Sequence, residues 1–398
     1  MRWIFADRKD SEEAREIAML ESKIADWWEA FTNKAPEFAE VFQGKANWDL
    51  PEWMIKNLNP IHEELMWEFG AAVNGPGDRL VITPESRKEL RPLVESIISE
   101  APELPGWEFY TYRLAEDLAM TAETVRSRVG TSIEGVEVAV EREEGNRIAL
   151  KYVSDKFRGS EDNEALNIAF VATETLLGEK ILDHWIGEIS VAKKKKGFLG
   201  LGKSQINTIP LAALKDTVER EIKAIEQSLP EEPCYERFDK FSWSLVQLKP
   251  TEQEDYPERS DMLVHTTTDF ELLSAALKPG FASERYSRHG ETFCYLKIDG
   301  AEGLEDSSFA DRGEIEEAIN AVLIPAKSGC TIGGGTGLRY SYIDLALLDF
   351  VKTSWKILEI LRAGRLPNRT WLLFSDADYC GEWIGLYDDT PEPPREAN

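Results

Sequence analysis

Residues 79–113 read RLVITPESRKELRPLVESIISEAPELPGWEFYTYR and predict a strand, a helix and a second strand. Leu80–Thr83 is β-prone, and Thr83 can cap a helix whose first turn holds Pro84 and Glu85. Apolar residues then recur at helical spacing, at positions 90, 93, 94, 97 and 98. Two prolines and a glycine end the helix and turn the chain into a strand over Trp107–Arg113.

The same order of elements recurs further along the chain. Gly77-Asp78-Arg79-Leu80 matches Gly145-Asn146-Arg147-Ile148, and Trp107 opens a later strand just as Trp185 does. A looser third copy begins at Gly337-Leu338-Arg339 and has its strand at Trp371. The pattern predicts duplicated hairpin–helix–strand–helix units. The alternative is a coincidence of the kind that any α+β protein offers.

The N-terminal region is predicted to be helical. Ser11 can cap an amphipathic helix that runs to about Phe31, Pro36 interrupts it, and a short helix follows over Glu37–Phe42. The run LPEEP at 229–233 ends the last helix of the repeats and marks a boundary. The predicted fold is therefore α+β, with a helical N-terminal segment (1–60), a duplicated α+β domain (61–230) and a C-terminal α+β domain (231–398).

Composition places the chain among acidic globular proteins. Hydrophobic residues make up 42% and charged residues 30% of the chain, and the formal net charge is −27. The acidic excess argues against general nucleic-acid binding, because phosphate recognition needs clustered Lys and Arg, and it permits a basic protein partner. It is also compatible with a charge that only keeps the protein in solution.

Cysteine usage and hydropathy predict a cytoplasmic protein. The four cysteines are far apart and form no CxxC pair, so neither a disulfide framework nor a zinc site is expected. The first residues lack the apolar run of a signal peptide, and no stretch approaches the roughly 18 apolar residues of a membrane span.

Residues 197–204 read GFLGLGKS and fit the phosphate-binding P-loop pattern, whose fixed positions here are Gly197, Gly202, Lys203 and Ser204. A P-loop opens directly into a helix, whose first amides hold the phosphates. Here QINTIP follows, which is β-branched and broken by Pro210. The alternatives are a mobile basic loop that begins with the lysines at 193–196, and an interaction loop in which Phe198 and Leu201 supply apolar contact.

Residues 333–337 read GGGTG, which is similar to the glycine signature of tubulin-like GTP-binding proteins. That signature leads into a helix, whereas LRYSYIDLAL, which follows here, is β-prone. A flexible hairpin turn is the alternative use of these glycines.

Candidate metal and acid–base residues are isolated from one another. Asp376 ends the strand WLLF as a metal-binding carboxylate would, but without a P-loop as partner a strand-terminal turn is the better explanation. The histidines are His62, His184, His265 and His289, and no HExxH or paired metal spacing occurs. Asp344 and Asp349 merely flank an apolar run. The sequence therefore predicts no metal, no cofactor and no catalytic residue.

The block LVIT–PLVE–APELPGW–FYTYR resembles uncharacterised bacterial proteins that carry a similar arrangement. The likeness covers about residues 65–113, together with GLRYSYIDL near the C-terminus. It implies a bacterial origin, and because no activity is known for those proteins it implies nothing about catalysis.

These features favour a non-catalytic interaction protein of the immunity or inhibitor type, directed towards a basic protein partner. The acidic charge, the twelve tryptophans and the missing catalytic motifs motivate that hypothesis. An acidic face with a partly exposed aromatic residue at its centre is expected. The alternative is a nucleotide-binding protein or enzyme that uses the glycine-rich loops 197–204 or 333–337.

Overall fold

The computed structural model describes residues 2–6, 11–159, 161–194, 207–301 and 304–395. The chain forms two compact units, one spanning residues 8–224 and the other residues 225–398 together with residues 1–7. Helices accompany mixed and antiparallel sheets in the described residues, so the predicted α+β class is confirmed. The two units meet in sequence six residues before the predicted boundary at 230.

The first unit begins with two helices, α1 (Glu12–Phe42) and α2 (Leu50–Leu58). Ser11 caps α1 as predicted, since its side chain accepts a hydrogen bond from the Ala14 N–H at 3.0 Å. The predicted interruption at Pro36 is wrong, because α1 continues through this residue. Phe31 and Phe38 are both buried on either side of the proline, and their rings stack at 5.1 Å. Aromatic packing therefore offsets the hydrogen bond that proline removes.

Residues 79–113 contribute to a three-stranded sheet of order β1-β2-β3. Its strands are β1 (Met66–Ala71), β2 (Asp78–Thr83) and β3 (Trp107–Tyr110). Strand β2 pairs antiparallel with β1 and parallel with β3. Helices α3 (Arg91–Ser99) and α4 (Leu118–Val129) follow β2 and β3, respectively. Strand, helix and strand are confirmed, but the helix starts later than predicted. Glu85 has a φ of 50°, outside the right-handed helical range, and its N–H donates to the Thr83 hydroxyl.

The second sheet has the order β6-β5-β4-β7. Its strands are β4 (Glu137–Glu143), β5 (Arg147–Ser154), β6 (Ile186–Lys193) and β7 (Ile209–Pro210). Three helices accompany them, namely α5 (Asn163–Leu177), α6 (Glu179–Trp185) and α7 (Leu214–Ser228). Trp185 ends α6 and does not open β6, so this part of the repeat pattern is wrong.

The connectivity of the two sheets bears on the predicted duplication. In each, an antiparallel hairpin is followed by a helix and then by a strand that pairs parallel with the second hairpin strand. With Leu80 aligned on Ile148 and Trp107 on Trp185, only Ile148 is displaced by one residue, at a bulge, and the pairs from Leu150–Ile189 onwards keep the register of the first sheet. This agreement is compatible with duplication and with coincidence. Duplication of these units therefore stays a prediction.

Buried ion pairs connect elements of the first unit across its two halves. Arg91 is fully buried, lies 3.0 Å from Glu179 and stacks 3.8 Å above the ring of Tyr112. Arg113 donates to Glu174 at 3.0 Å. Arg91 and Arg113 thus form ion pairs with carboxylates of the same unit, which indicates a structural role.

The second unit contains a seven-stranded antiparallel sheet of order β14-β13-β10-β12-β11-β9-β8. Its strands are β8 (Ser244–Gln247), β9 (Met262–Thr267), β10 (Thr292–Asp299), β11 (Gly329–Gly337), β12 (Tyr340–Leu347), β13 (Thr370–Phe374) and β14 (Trp383–Gly385). Its helices are α8 (Cys234–Arg237), α9 (Phe270–Ala276), α10 (Arg312–Leu323) and α11 (Phe350–Ala363). Strand β10 lies between β12 and β13, so the third candidate repeat lacks the direct pairing of the first two.

The two faces of this sheet carry different cores. One face packs Leu296, Ile343 and Leu372 against residues of α10 and α11, such as Ile319 and Ile357. The opposite face is rich in tyrosine and tryptophan. Residues 249–261, here called the strap, join β8 to β9 and place Tyr256 in this second core.

Candidate functional site on the seven-stranded sheet

Strand β8 is an open edge of the sheet, because β9 is its only strand partner among the described residues. Leu248 donates its N–H to the Leu263 carbonyl at 2.8 Å. Antiparallel strands alternate the direction of their backbone groups, so Leu245 and Gln247 direct their N–H and C=O groups away from β9. The edge therefore offers a backbone ladder to another strand.

Exposed apolar side chains lie along this edge. Leu245 is 62% exposed, Trp243 just before the strand is 48% exposed, and Val264 in β9 is 37% exposed. Leu245 lies opposite Thr266, Thr266 opposite Gly334, and Gly334 opposite Ile343, so Leu245 shares the face of the sheet that α10 covers further along. We call Trp243, Leu245 and Val264 the apolar strip.

Helix α10 ends its cover of the sheet at β11. Asn320 and Arg312 of α10 contact Thr331 and Thr336 of β11, respectively. Glu316 of α10 lies over Gly334, which would meet the carboxylate at 2.5 Å if it carried a Cβ. The strip beyond is thus bordered by the ion pair of Glu316 with Arg312, whose atoms lie 2.8 Å apart.

The opposite face holds a cluster of buried polar and aromatic side chains beneath the strap. The register across the sheet aligns His265 with Gly335, Tyr342 and Lys297 in one row, and Gly333 with Asp344 and Tyr295 in the next. We call His265, Tyr295, Lys297, Tyr342 and Asp344 the polar bed. All five are less than 9% exposed.

Asp344 is the centre of the polar bed. Its carboxylate lies 2.8 Å from Arg259 of the strap and 2.7 Å from Nε2 of His265. The Arg259 guanidinium also stacks 3.9 Å above the ring of Tyr295. Asp261 of the strap accepts hydrogen bonds at 2.8 Å from the N–H groups of Arg339 and Tyr340. Side chains thus bind the strap to the sheet.

Gly333 and Gly335 make room for this cluster. A Cβ at Gly333 would lie 2.6 Å from Asp344 Oδ2, and a Cβ at Gly335 would lie 2.4 Å from His265 Nδ1. Both glycines belong to β11, which is paired on both sides, so the predicted hairpin turn at GGGTG is wrong. The segment also does not lead into a helix, as the GTP-binding signature requires, but into β12.

Burial shifts the ionisation of the polar bed. It disfavours the charged form of Asp344, but Arg259 and His265 outweigh it and hold the pKa of this carboxyl below its ordinary value. Burial lowers the pKa of Lys297 to about 8, against the opposing effect of Asp261. Burial raises the pKa of Tyr295 to about 12. A buried carboxylate beside an aromatic ring is suited to hold a cation.

The residues that match the P-loop pattern, Gly197, Gly202, Lys203 and Ser204, lie outside the described residues. Asp376, at the end of β13, accepts a hydrogen bond from the Ser283 N–H at 2.6 Å. Among the described residues no group of His, Cys, Asp and Glu is arranged to hold a metal ion.

The histidines lie apart, and one of them has a carboxylate partner that sequence reasoning missed. His62 accepts from the Glu64 N–H, His184 packs against Tyr112, and His289 lies 3.3 Å from the Pro230 carbonyl. His265 contacts the carboxylate of Asp344, with its Nε2 2.7 Å from Oδ2. The two residues are 79 positions apart, so no local motif could reveal the pair.

Comparison with protein-family models, curated proteins and solved structures found no match to this chain. Within the described part of the chain, no helix combines the length and the apolar character needed to cross a membrane.

Proposed function

We propose that this chain is a non-catalytic interaction protein whose second unit binds an extended segment of a basic partner at β8. The observation that carries the proposal is the open edge of β8 together with the apolar strip beside it. Edge strands are commonly shielded by charge, proline or a covering element. Here Leu245 and Trp243 lie exposed at the edge instead.

Strand addition explains both features of this edge. The backbone groups of Leu245 and Gln247 that face away from β9 would pair with the partner's backbone. Alternate side chains of the added strand would lie on the face of the apolar strip. Trp243 supplies a large amphipathic contact of the kind that dominates binding energy at interfaces.

Charge favours a basic partner. The chain carries a formal net charge of −27, whereas Glu316 beside the apolar strip is paired with Arg312, so the argument rests on the net charge. A field of this sign speeds encounter with a cationic segment and weakens as salt screens it, over about 8 Å at physiological ionic strength. An immunity or inhibitor protein that captures a basic target is the concrete form of this proposal.

Selection from a random peptide library on the full-length chain tests the proposal. We expect peptides that alternate apolar residues with Lys or Arg, and affinity that falls as salt rises. Gln247→Pro removes one outward N–H without removing a donor to β9, and Leu245→Lys charges the strip. Each is expected to weaken binding at least about tenfold, the equivalent of 1.4 kcal/mol.

Val351→Lys is the matched control, because Val351 is also an exposed apolar residue but lies on α11. It is expected to keep wild-type affinity. Peptides that bind Gln247→Pro as tightly as the wild type would contradict strand addition. Enrichment of acidic rather than basic sequences would contradict the charge argument.

A further inference from the structure

The strap places an arginine in a site that is built from the sheet. Arg259 is 7% exposed, and its guanidinium meets the Asp344 carboxylate on one side and the Tyr295 ring on another. The contact with Asp344 is an ion pair without hydrogen-bond geometry, and a planar guanidinium can combine such a pair with stacking on a ring, which a compact ammonium group does not. The geometry is therefore selective for guanidinium over ammonium.

The polar bed retains a polar atom that Arg259 does not use. His265 is fully buried, its Nε2 lies against Asp344, and its Nδ1 has no hydrogen-bond partner among the described residues. A buried polar atom without a partner costs about 1–3 kcal/mol, so a ligand that reached this nitrogen would gain that amount. Gly335 packs directly against this nitrogen, since a Cβ there would lie 2.4 Å from it.

The strap holds Arg259 at a local conformational cost. Glu258, directly before Arg259, has a φ of 44°, in the left-handed region that non-glycine residues rarely adopt. Such a residue costs about 1–3 kcal/mol and persists because its surroundings hold it. Release of Arg259 would remove this strain, which lowers the cost of exchanging the internal arginine for an external one.

We propose that Asp344, Tyr295 and His265 form a guanidinium-binding site, that Arg259 fills it as an internal ligand, and that an arginine side chain of a partner protein replaces it. The site lies on the face opposite the apolar strip. It does not require strand addition at β8, so either proposal can fail alone. Asp261 stays bound to Arg339 and Tyr340 in this exchange and forms the fixed end of the strap.

Chemical rescue of an emptied site is the first test. Arg259→Ala removes the internal ligand and leaves His265 as the remaining partner of the Asp344 carboxylate. Ethylguanidinium chloride at ten times its dissociation constant is expected to raise the melting temperature of this variant by about 4 °C. Ethylammonium chloride should give no saturable shift, and neither salt should stabilise the wild type or the double variant Arg259→Ala/Asp344→Asn. An equal response of the single and double variants would overturn the proposal.

Hydrogen exchange on the wild-type chain tests replacement itself and does not depend on any variant folding. The probe is N-acetyl-arginine amide at about 50 mM, above the millimolar effective concentration of a tethered group. N-acetyl-lysine amide and the neutral isostere N-acetyl-citrulline amide are the controls. Amides of residues 250–260 are expected to exchange several-fold faster with the arginine probe alone. Unchanged exchange of these amides, or the same change with the lysine probe, would overturn the proposal.

Discussion

The two edges of the seven-stranded sheet differ in how the chain treats them. At the β14 edge, the backbone N–H groups of Trp3, Ile4 and Phe5 all donate to the carboxylate of Glu382, and Arg2 stacks 3.7 Å above the ring of Trp383. Neither edge has a further strand among the described residues, and at the β8 edge Leu245 stays 62% exposed. One edge is thus covered by a distant part of the same chain, and the other is left open.

The exposure of side chains follows this difference. Ile384 in β14 is 7% exposed and belongs to the core under α11, whereas Leu245 in β8 is 62% exposed. Residues 2–5 contact the sheet at the β14 edge, next to the buried Ile384. This difference in exposure between the two edges is the reason we propose binding at β8.

Two lysine substitutions, one at each edge of the sheet, test the difference in exposure between the edges. Of the predictions, this one has the largest expected effect on the free energy of unfolding. Ile384→Lys places an unpaired charge in a core position and is expected to lower the free energy of unfolding by about 4 kcal/mol. Leu245→Lys places the same charge in solvent and is expected to change it by less than about 0.5 kcal/mol. Urea denaturation of both variants measures the difference. Similar losses would show that β8 is covered in solution.

The middle of the sheet gives a pH-dependent test. Burial holds the pKa of Lys297 at about 8 in the folded chain, below its ordinary value of 10.5. Between these pH values the unfolded chain binds more protons than the folded one, so the cost of burying Lys297 falls as pH rises. The contribution of Lys297 to the free energy of unfolding should therefore increase by about 2 kcal/mol from pH 7.5 to 9.5.

Lys297→Met should remove this increase, because methionine does not titrate. The measurement is the difference between wild type and variant at the two pH values, so that groups common to both cancel. A difference that does not change with pH would show that Lys297 titrates normally, and that the core between the two edges is more hydrated than its burial indicates.

A substitution at the β14 edge has the smallest expected effect on the free energy of unfolding. Glu382→Ala removes the acceptor of three backbone N–H groups and is expected to cost about 1.5 kcal/mol, less than three charge-assisted bonds would suggest, because residues 2–6 can undock and be hydrated. Glu359→Ala, at an exposed position of α11, is the control and should be neutral. Faster hydrogen exchange at residues 3–5 should accompany the loss in Glu382→Ala. Unchanged exchange there would show that Glu382 does not hold the segment.

Local signals predicted elements well where one residue acts on its near neighbours. Ser11 caps α1, and the apolar spacing after position 90 marks α3, because capping and amphipathic periodicity depend on residues within one or two turns. Pro36 and the start of the helix after Thr83 were predicted wrongly. In the first case packing of Phe31 and Phe38 outweighs a local rule, and in the second Glu85 adopts a left-handed conformation that no neighbouring residue announces.

The sequence by itself determined the α+β class, the acidic character of the chain and the open choice between an interaction protein and a nucleotide-binding one. Only the tertiary structure brought Arg259, His265 and Asp344 together, and only it showed that the glycines of GGGTG lie in a strand and leave room for side chains from β9 and β12. Strand order also decided which edge is covered. The physical reason is that strand pairing acts between residues far apart in the chain, and its outcome depends on the packing of all elements at once, which local spacing does not record.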